Sequence, residues 1–367
     1  MAGAEKMRNR LIIVGKNLYL NDPFMEYVER ELSHLGLLDQ ITRLPETGSE
    51  IVSLLQDHIS GEGNTIVISN KNAFAPISKL LATMTDDTLV LKESILIPSR
   101  SEIYDDNSFL LRYKGASINV VMAEPGKTVP VFLIEEAKKD GTIHIFNLDE
   151  EGADALLDPV AKSFEVEFVS TTLTPGWIKI ECSAKRYGRL GNFLKSVKQL
   201  MGDKVVESSN IMAYIIHRLG SANKSITFAE SCTGGRIAAK LTSEAGSSAV
   251  FKGSLVTYSN ALKAGWLGVE KEVFDKYGAV SKECVEQMLS GAREIAGADY
   301  ALAVSGIAGP GGGTPQKPVG TVIIGAQSEE RTIVEALYFE GDRNYIQEQS
   351  ALYAYKLLFQ VASRELF

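Results

Sequence analysis

Residues 226–243 read Ile226-Thr227-Phe228-Ala229-Glu230-Ser231-Cys232-Thr233-Gly234-Gly235-Arg236-Ile237-Ala238-Ala239-Lys240-Leu241-Thr242-Ser243. The apolar run Ile226 to Ala229 predicts a strand, and Arg236 to Ser243 predicts a helix. Between them, Gly234 and Gly235 allow close backbone approach and unusual φ. A serine on such a turn sits beside free N–H groups at the positive end of a helix dipole. That setting stabilises an anion or a developing oxyanion, and it suits a nucleophilic hydroxyl. Ser231 or Thr233 would equally serve as the helix cap, the commonest use of those residues. Cys232 is either a second nucleophile or, as free cysteines usually are, a small buried thiol.

Outward from this turn the pattern alternates. Asn210 to Leu219 predicts a helix, Leu255 to Tyr258 a strand, and Ala261 to Leu267 a helix. Ser281 to Ala296 keeps Val285, Met288, Leu289 and Ala292 on one face. Strands follow at Tyr300 to Val304, Val319 to Ala326 and Thr332 to Phe339, then a closing helix from Tyr345 to Ala362. Residues 204–367 therefore predict one α/β domain. Upstream, strand-like Leu11 to Val14, Thr65 to Ile68 and Ile118 to Met122 alternate with helix-like Asp22 to Leu35, Ser49 to Ile59 and Pro76 to Met84. Residues 1–163 thus predict a second α/β domain with a mostly parallel sheet. Between the two, strands at Val166 to Val169 and Ile178 to Cys182 precede a helix from Leu190 to Leu200. This is a small α+β connector over residues 164–203.

Bulk properties set limits on the chemistry. The 367 residues are 45% hydrophobic and 23% charged, with a net charge of −8, so a broad electrostatic grip on nucleic acid is not expected. No apolar run reaches the roughly 20 residues needed to span a bilayer, and the N-terminus lacks the features of a secretory signal. Three cysteines at unrelated spacings argue for a reducing compartment, and the placement is read as cytoplasmic. Four scattered histidines match no metal-ligand spacing.

Three more segments carry chemistry. Val256-Thr257-Tyr258-Ser259-Asn260-Ala261-Leu262-Lys263 ends a strand at Tyr258, with Ser259 or Asn260 as helix cap and Lys263 in the first turn. A lysine there opposes the helix dipole; buried, its amine would lose its proton and activate a serine. Tyr258 puts a phenol at a strand's C-terminal end, where α/β ligand sites gather. Ser305-Gly306-Ile307-Ala308-Gly309-Pro310-Gly311-Gly312-Gly313 is a glycine-rich turn after a strand, suited to phosphate through backbone N–H groups. Gly341-Asp342-Arg343 starts the last helix: Asp342 is a natural cap, whereas Arg343 opposes the dipole and suits a bidentate grip on phosphate or carboxylate.

Taken in order, AESCTGG, AGSS (Ala245 to Ser248), VTYSNALK, GAVS (Gly278 to Ser281), SGIAGPGGG, KPVGTV (Lys317 to Val322) and GDR resemble the C-terminal domain of the competence/damage-inducible CinA family. Single-domain relatives of that domain are nicotinamide mononucleotide deamidases. The resemblance implies hydrolysis of the carboxamide of nicotinamide mononucleotide to nicotinate mononucleotide and ammonia, without a metal or other cofactor. It implies Ser231 as nucleophile, with Tyr258 and Lys263 as candidate acid/base groups; spacing does not choose between them. N–H groups near Thr233, Gly234 and Gly235 would hold the oxyanion or orient the substrate. Ser259, Ser305, Gly306, Gly309 and Arg343 would contact the nucleotide.

The first domain resembles the family's molybdopterin-binding-like domain, and the middle segment its small KH-like connector. In some relatives the first domain is linked to ADP-ribose pyrophosphatase activity. The family's Thr-Gly-Gly-Leu-Gly-Pro-Thr-x-Asp-Asp segment should follow the strand ending at Ile68. Here the chain reads Ser69-Asn70-Lys71-Asn72-Ala73-Phe74-Ala75-Pro76 instead. Asp86 and Asp87 come too late to substitute, and Pro125-Gly126-Lys127 keeps only part of a later turn. The expectation is a retained fold with lost pyrophosphatase chemistry. Two rival expectations stand beside the deamidase: a nucleotide-binding regulatory protein, and a working ADP-ribose pyrophosphatase. The resemblance further implies a homodimer, with no direct nucleic-acid or membrane partner.

Overall fold

In β1 (Asn9–Val14) every residue from Leu11 onward is buried. Leu11 and Ile13 point into one apolar cluster and Ile12 and Val14 into another. A strand buried on both faces needs covering layers on both sides. The computed structural model, which describes residues 9–32, 38, 40–61, 63–134, 140–185 and 187–367, supplies them. Contacts divide the chain into two units, residues 1–138 and 139–367.

In the first unit, α1 (Lys16–Tyr19), α2 (Asp22–Leu32), β2 (Gln40–Leu44), α3 (Ser49–Ser60), β3 (Gly63–Ser69) and α4 (Lys71–Met84) follow β1. Short strands β4 (Leu89–Lys92), β5 (Ile95–Pro98), β6 (Ile103–Asp105) and β7 (Ser108–Tyr113) lead into β8 (Ala116–Met122). The sheet order is β2-β1-β3-β8-β7-β6. Its first four strands are parallel, as the alternation predicts, and the β6–β7 end is antiparallel. The end of the helix expected to run to Leu35 lies outside the described residues. Helix α4 starts five residues before Pro76, because the Asn70 side chain caps it by accepting from the Ala73 amide at 3.0 Å. Asn70 Nδ2 also donates to Asn17 Oδ1 at 2.9 Å, so asparagine side chains pair where β1 and β3 end. Asp87 is engaged locally, accepting from Ser99 Oγ and from the Thr88 and Arg100 amides.

The second unit opens with β9 (Asp140–Phe146), α5 (Glu150–Phe164), β10 (Val166–Thr174), β11 (Trp177–Ala184), α6 (Leu190–Met201) and β12 (Val205–Glu207). The strands form an antiparallel sheet, β10-β11-β9-β12. It draws β9 and β12 from either side of the 164–203 segment. Then come α7 (Ile211–Ser221), β13 (Ile226–Glu230), α8 (Arg236–Thr242), β14 (Phe251–Val256), α9 (Asn260–Leu267), α10 (Lys271–Tyr277), α11 (Lys282–Ala296) and β15 (Tyr300–Gly306). The chain closes with β16 (Thr321–Gln327), β17 (Thr332–Tyr338), α12 (Arg343–Val361) and α13 (Ser363–Leu366).

Here the sheet order is β14-β13-β15-β16-β17, with β13 parallel to both neighbours and β16 and β17 antiparallel. Phe228, Leu302 and Ile324 meet α7, α8 and α12 on one face. Ala229, Ala301, Ala303 and Ile323 meet α11 on the other. Strand β14 ends at Val256, two residues before the expected end at Tyr258, so Tyr258 stands in the loop ahead of α9. Helix α12 is buried around most of its surface, since it packs against β15 and β16, α8 and also β10 of the small sheet. Helix α9 comes unusually close to α11: a Cβ on Gly291 would fall 2.0 Å from the Leu267 carbonyl oxygen. No helix of the described residues is long and apolar enough to cross a membrane.

Candidate active site

The parallel strands β13, β14 and β15 end side by side, so the loops after them converge on one place. The first of these loops carries Ser231. Its amide donates to the Val304 carbonyl at 3.0 Å, which ties the turn to β15. Gly234 and Gly235 take positive φ values, 61° and 99°, which bend the chain into α8 as the two glycines predict.

Neither Ser231 nor Thr233 caps α8. The cap is Glu230, a buried carboxylate that accepts from the Gly235 amide at 3.0 Å, the Ile237 amide at 3.1 Å and the Ala238 amide at 3.0 Å. Its fourth bond, also 3.0 Å, comes from Ser254 Oγ on β14. A carboxylate matches both the free amides and the dipole of a helix start. It thereby leaves the Ser231 hydroxyl free of capping duty. Glu230 has no role among the sequence expectations. A carboxylate just ahead of a glycine turn into a helix was the available signal, masked by two better-known capping residues.

The second loop and α9 bring in Lys263. Ser259 caps α9, accepting from the Leu262 amide at 3.2 Å, and the lysine side chain runs inward from the first turn. Only 1% of Lys263 is exposed. Its Nζ lies 2.9 Å from Ser231 Oγ and donates to the Thr257 carbonyl at 2.7 Å. Burial pushes its pKa below the ordinary lysine value, against a smaller upward pull from the Cys284 and Cys232 thiols. Burial also pushes the Cys232 thiol up to about 12 and the Cys284 thiol to about 11. A thiol so rarely ionised is a poor nucleophile near neutral pH, which matches the buried-thiol reading of Cys232.

Tyr258 is placed differently. It is 57% exposed, and its hydroxyl accepts from Arg343 Nη2 at 2.5 Å. Arg343 Nη1 donates to the Gly309 carbonyl at 2.6 Å, and Asp342 caps α12 through the Tyr345 amide. Tyr258, Gly309 and Arg343 therefore form one group at the outer edge, while Ser231 and Lys263 form another in the interior. Of the other expected contacts, the Ser305 hydroxyl donates to the Ala279 carbonyl at 2.7 Å, and Gly306 pairs with Val322 in the sheet. Lys317, in the KPVGTV segment, donates to the Tyr277 and Val280 carbonyls and so holds the GAVS loop.

The amides of the turn also sort themselves. Gly234 donates to the Ser231 carbonyl at 3.0 Å and Gly235 to Glu230, so both are used within the turn. The amides of Cys232 and Thr233 bond no other residue among the described ones, and that of Cys232 meets only its own thiol. The buried hydroxyls of Thr233 and Thr257 have no partner among the described residues. Buried polar groups without partners are uncommon; Thr233 lies in the turn after Ser231, and Thr257 is the residue whose carbonyl Lys263 bonds.

Residues 208–362 match the family described as CinA C-terminal domain. A CinA-like protein of Thermosipho melanesiensis is 45% identical over 179 residues, 48% of this chain and 44% of that protein. A putative competence-damage inducible protein of Caldanaerobacter subterraneus subsp. tengcongensis is 27% identical over 97% of this chain and 92% of its own length. The crystal structure of a competence/damage inducible protein from Agrobacterium tumefaciens aligns at 38% identity, covering 41% of this chain and 93% of that one, with a TM-score of 0.41. On the matched motifs, the family model and the two relatives, residues 208–362 form a domain of the CinA family.

Proposed function

We propose that the second unit hydrolyses the carboxamide of nicotinamide mononucleotide, with Ser231 as nucleophile and Lys263 as its base. The observation that carries this reading is the 2.9 Å approach of a fully buried lysine amine to a serine hydroxyl. Burial lowers the Lys263 pKa and so raises the share of neutral amine, whose lone pair can take the serine proton. The Ser231 oxygen attacks the carboxamide carbon while Lys263 Nζ accepts the proton. The oxyanion that forms meets the amides of Cys232 and Thr233, rather than those of Gly234 and Gly235. As the C–N bond breaks, the Lys263 ammonium returns its proton to the leaving nitrogen, which departs as ammonia. Water then attacks the ester with the same lysine as base, and nicotinate mononucleotide leaves as Ser231 recovers its proton. The unpartnered hydroxyls of Thr233 and Thr257 suit the orientation of the carboxamide or of that water.

Arg343 and Tyr258 would act at the nucleotide end of the substrate, where a guanidinium offers several donors to phosphate. In this reading Tyr258 is not the base. Tyr258→Phe is then expected to raise KM by about tenfold, the size of one hydrogen bond to a charged group, with kcat changed far less. Steady-state kinetics of ammonia release checks this. A collapse of kcat at unchanged KM would return the proton-transfer role to Tyr258. The reading itself is tested by following ammonia release from nicotinamide mononucleotide with the full chain. Nucleotide binding without turnover would instead favour a regulatory protein.

A further inference from the structure

Gln347 reaches the nucleophile turn from the far end of the sequence. It sits in the first turns of α12, buried, and donates Nε2 to the Cys232 carbonyl at 2.6 Å. Its Oε1 accepts from Arg236 Nε at 3.0 Å, and Arg236 Nη2 donates to Asn344 Oδ1 at 2.9 Å. The orientation of this amide is dictated by its partners: a guanidinium has only donors, and a carbonyl only accepts.

In a trans peptide the C=O and the following N–H point to opposite sides of the chain. Holding the Cys232 oxygen toward α12 therefore turns the Thr233 N–H away from α12. The preceding peptide is pinned in the same way, because the Ser231 carbonyl accepts from Gly234. These two peptides carry the Cys232 and Thr233 amides, which bond no other described residue. Arg343 lies one turn before Gln347, four residues away, so both leave the same face of α12.

We propose that Gln347 is a positioning residue that aims the Thr233 amide at the oxyanion formed during attack by Ser231. This rests on the acyl-transfer reading of the Ser231–Lys263 pair. Helix α12 then aligns both ends of the site: Gln347 sets the oxyanion turn and Arg343 holds Tyr258 and the Gly309 loop.

The discriminating variant is Gln347→Glu. It keeps an acceptor for Arg236 but removes the donor to the Cys232 carbonyl, so a purely structural link through Arg236 survives. Gln347→Met, similar in length, removes both and serves as a second variant. Loss of one oxyanion donor in other acyl-transfer enzymes costs about 10²–10³-fold, and a misaimed donor is expected to cost about 10- to 100-fold. The expected result is a fall of that size in kcat for ammonia release in both variants, with KM within about threefold of wild type.

A second readout does not depend on the substrate. An alkyl fluorophosphonate should modify Ser231: the O–P bond forms, fluoride leaves and Lys263 takes the proton. Its phosphoryl oxygen needs the same amides, so the labelling rate, read by mass spectrometry of the Ser231 peptide, should fall in parallel with kcat. If wild type labels but releases no ammonia, the deamidase reading fails, and slower labelling of Gln347→Glu still supports the positioning role. Unchanged kcat and labelling in Gln347→Glu would overturn the proposal, as would a lowered Tm with full activity. Wild-type protein that neither labels nor releases ammonia would overturn both.

Discussion

Lys263→Met is expected to lower ammonia release by about 10³- to 10⁵-fold, the scale seen when a nucleophile loses its base. Among the described residues, the amine is the one side-chain group hydrogen-bonded to the Ser231 hydroxyl, at 2.9 Å. Methionine fills similar space but has no lone pair basic enough to take a proton. The wild-type rate should rise with pH through the lysine pKa, which burial lowers from 10.5, and the residual rate of the variant should lack that rise.

The same lysine leaves a mark on stability. Between its lowered native pKa and 10.5, the unfolded chain binds a proton that the native protein does not. Stability from this group therefore increases as pH rises through that window, and is at its least below it. Lys263→Met removes that slope. The unfolding free energy of wild type minus that of the variant should grow as pH rises toward 10.5, because other titrating groups cancel in the difference. Denaturant unfolding at several pH values measures it. Parallel curves would mean that the native lysine keeps its proton, contrary to the proposed base role.

Glu230→Ala should have the largest effect on stability. It strips acceptors from the amides of Gly235, Ile237 and Ala238 and from Ser254 Oγ, all at 3.0–3.1 Å in the native protein. Each buried donor left unpaired costs about 1–3 kcal/mol, though the loosened helix end and entering water would recover part of it. A net loss of roughly 3–5 kcal/mol is expected, which lowers Tm by about 10 °C in a domain of this size. Glu230→Gln keeps the shape but turns an N–H₂ toward donors, so it should fall between. Thermal unfolding followed by circular dichroism reads both. A shift below about 2 °C for Glu230→Ala would show that another group caps α8.

Much of this site could be read from local chemistry. The turn at Ser231 announces itself by a strand, two glycines and a helix within ten residues, and Lys263 by sitting at the wrong end of a helix dipole. Arg343 was legible for the same reason. What the chain could not disclose were partnerships across long separations. Gln347 meets Cys232 over 115 positions, and a glutamine in a helix carries no mark of such a role. Glu230 was hidden by the neighbouring serine and threonine, which cap helices more often.

The fold divides in the same way. Strands buried on both faces, such as β3, β13 and β15, stand out as apolar runs. The half-exposed edge strand β14 lacks that contrast and ends at Val256, two residues before the expected Tyr258. The short pieces β4 to β6 have three or four residues each, too few for a period to emerge. Strand β12, three residues long, pairs with β9 some sixty positions away, so the limits of the small sheet rest on pairing and not on local pattern.

The central claim is that Ser231 attacks a carboxamide. Its most direct test is ammonia release from nicotinamide mononucleotide by wild type, Ser231→Ala and Cys232→Ala, measured side by side. The account predicts turnover by wild type, loss to background in Ser231→Ala and activity within a few fold of wild type in Cys232→Ala. Equal ammonia release by wild type and Ser231→Ala would contradict it.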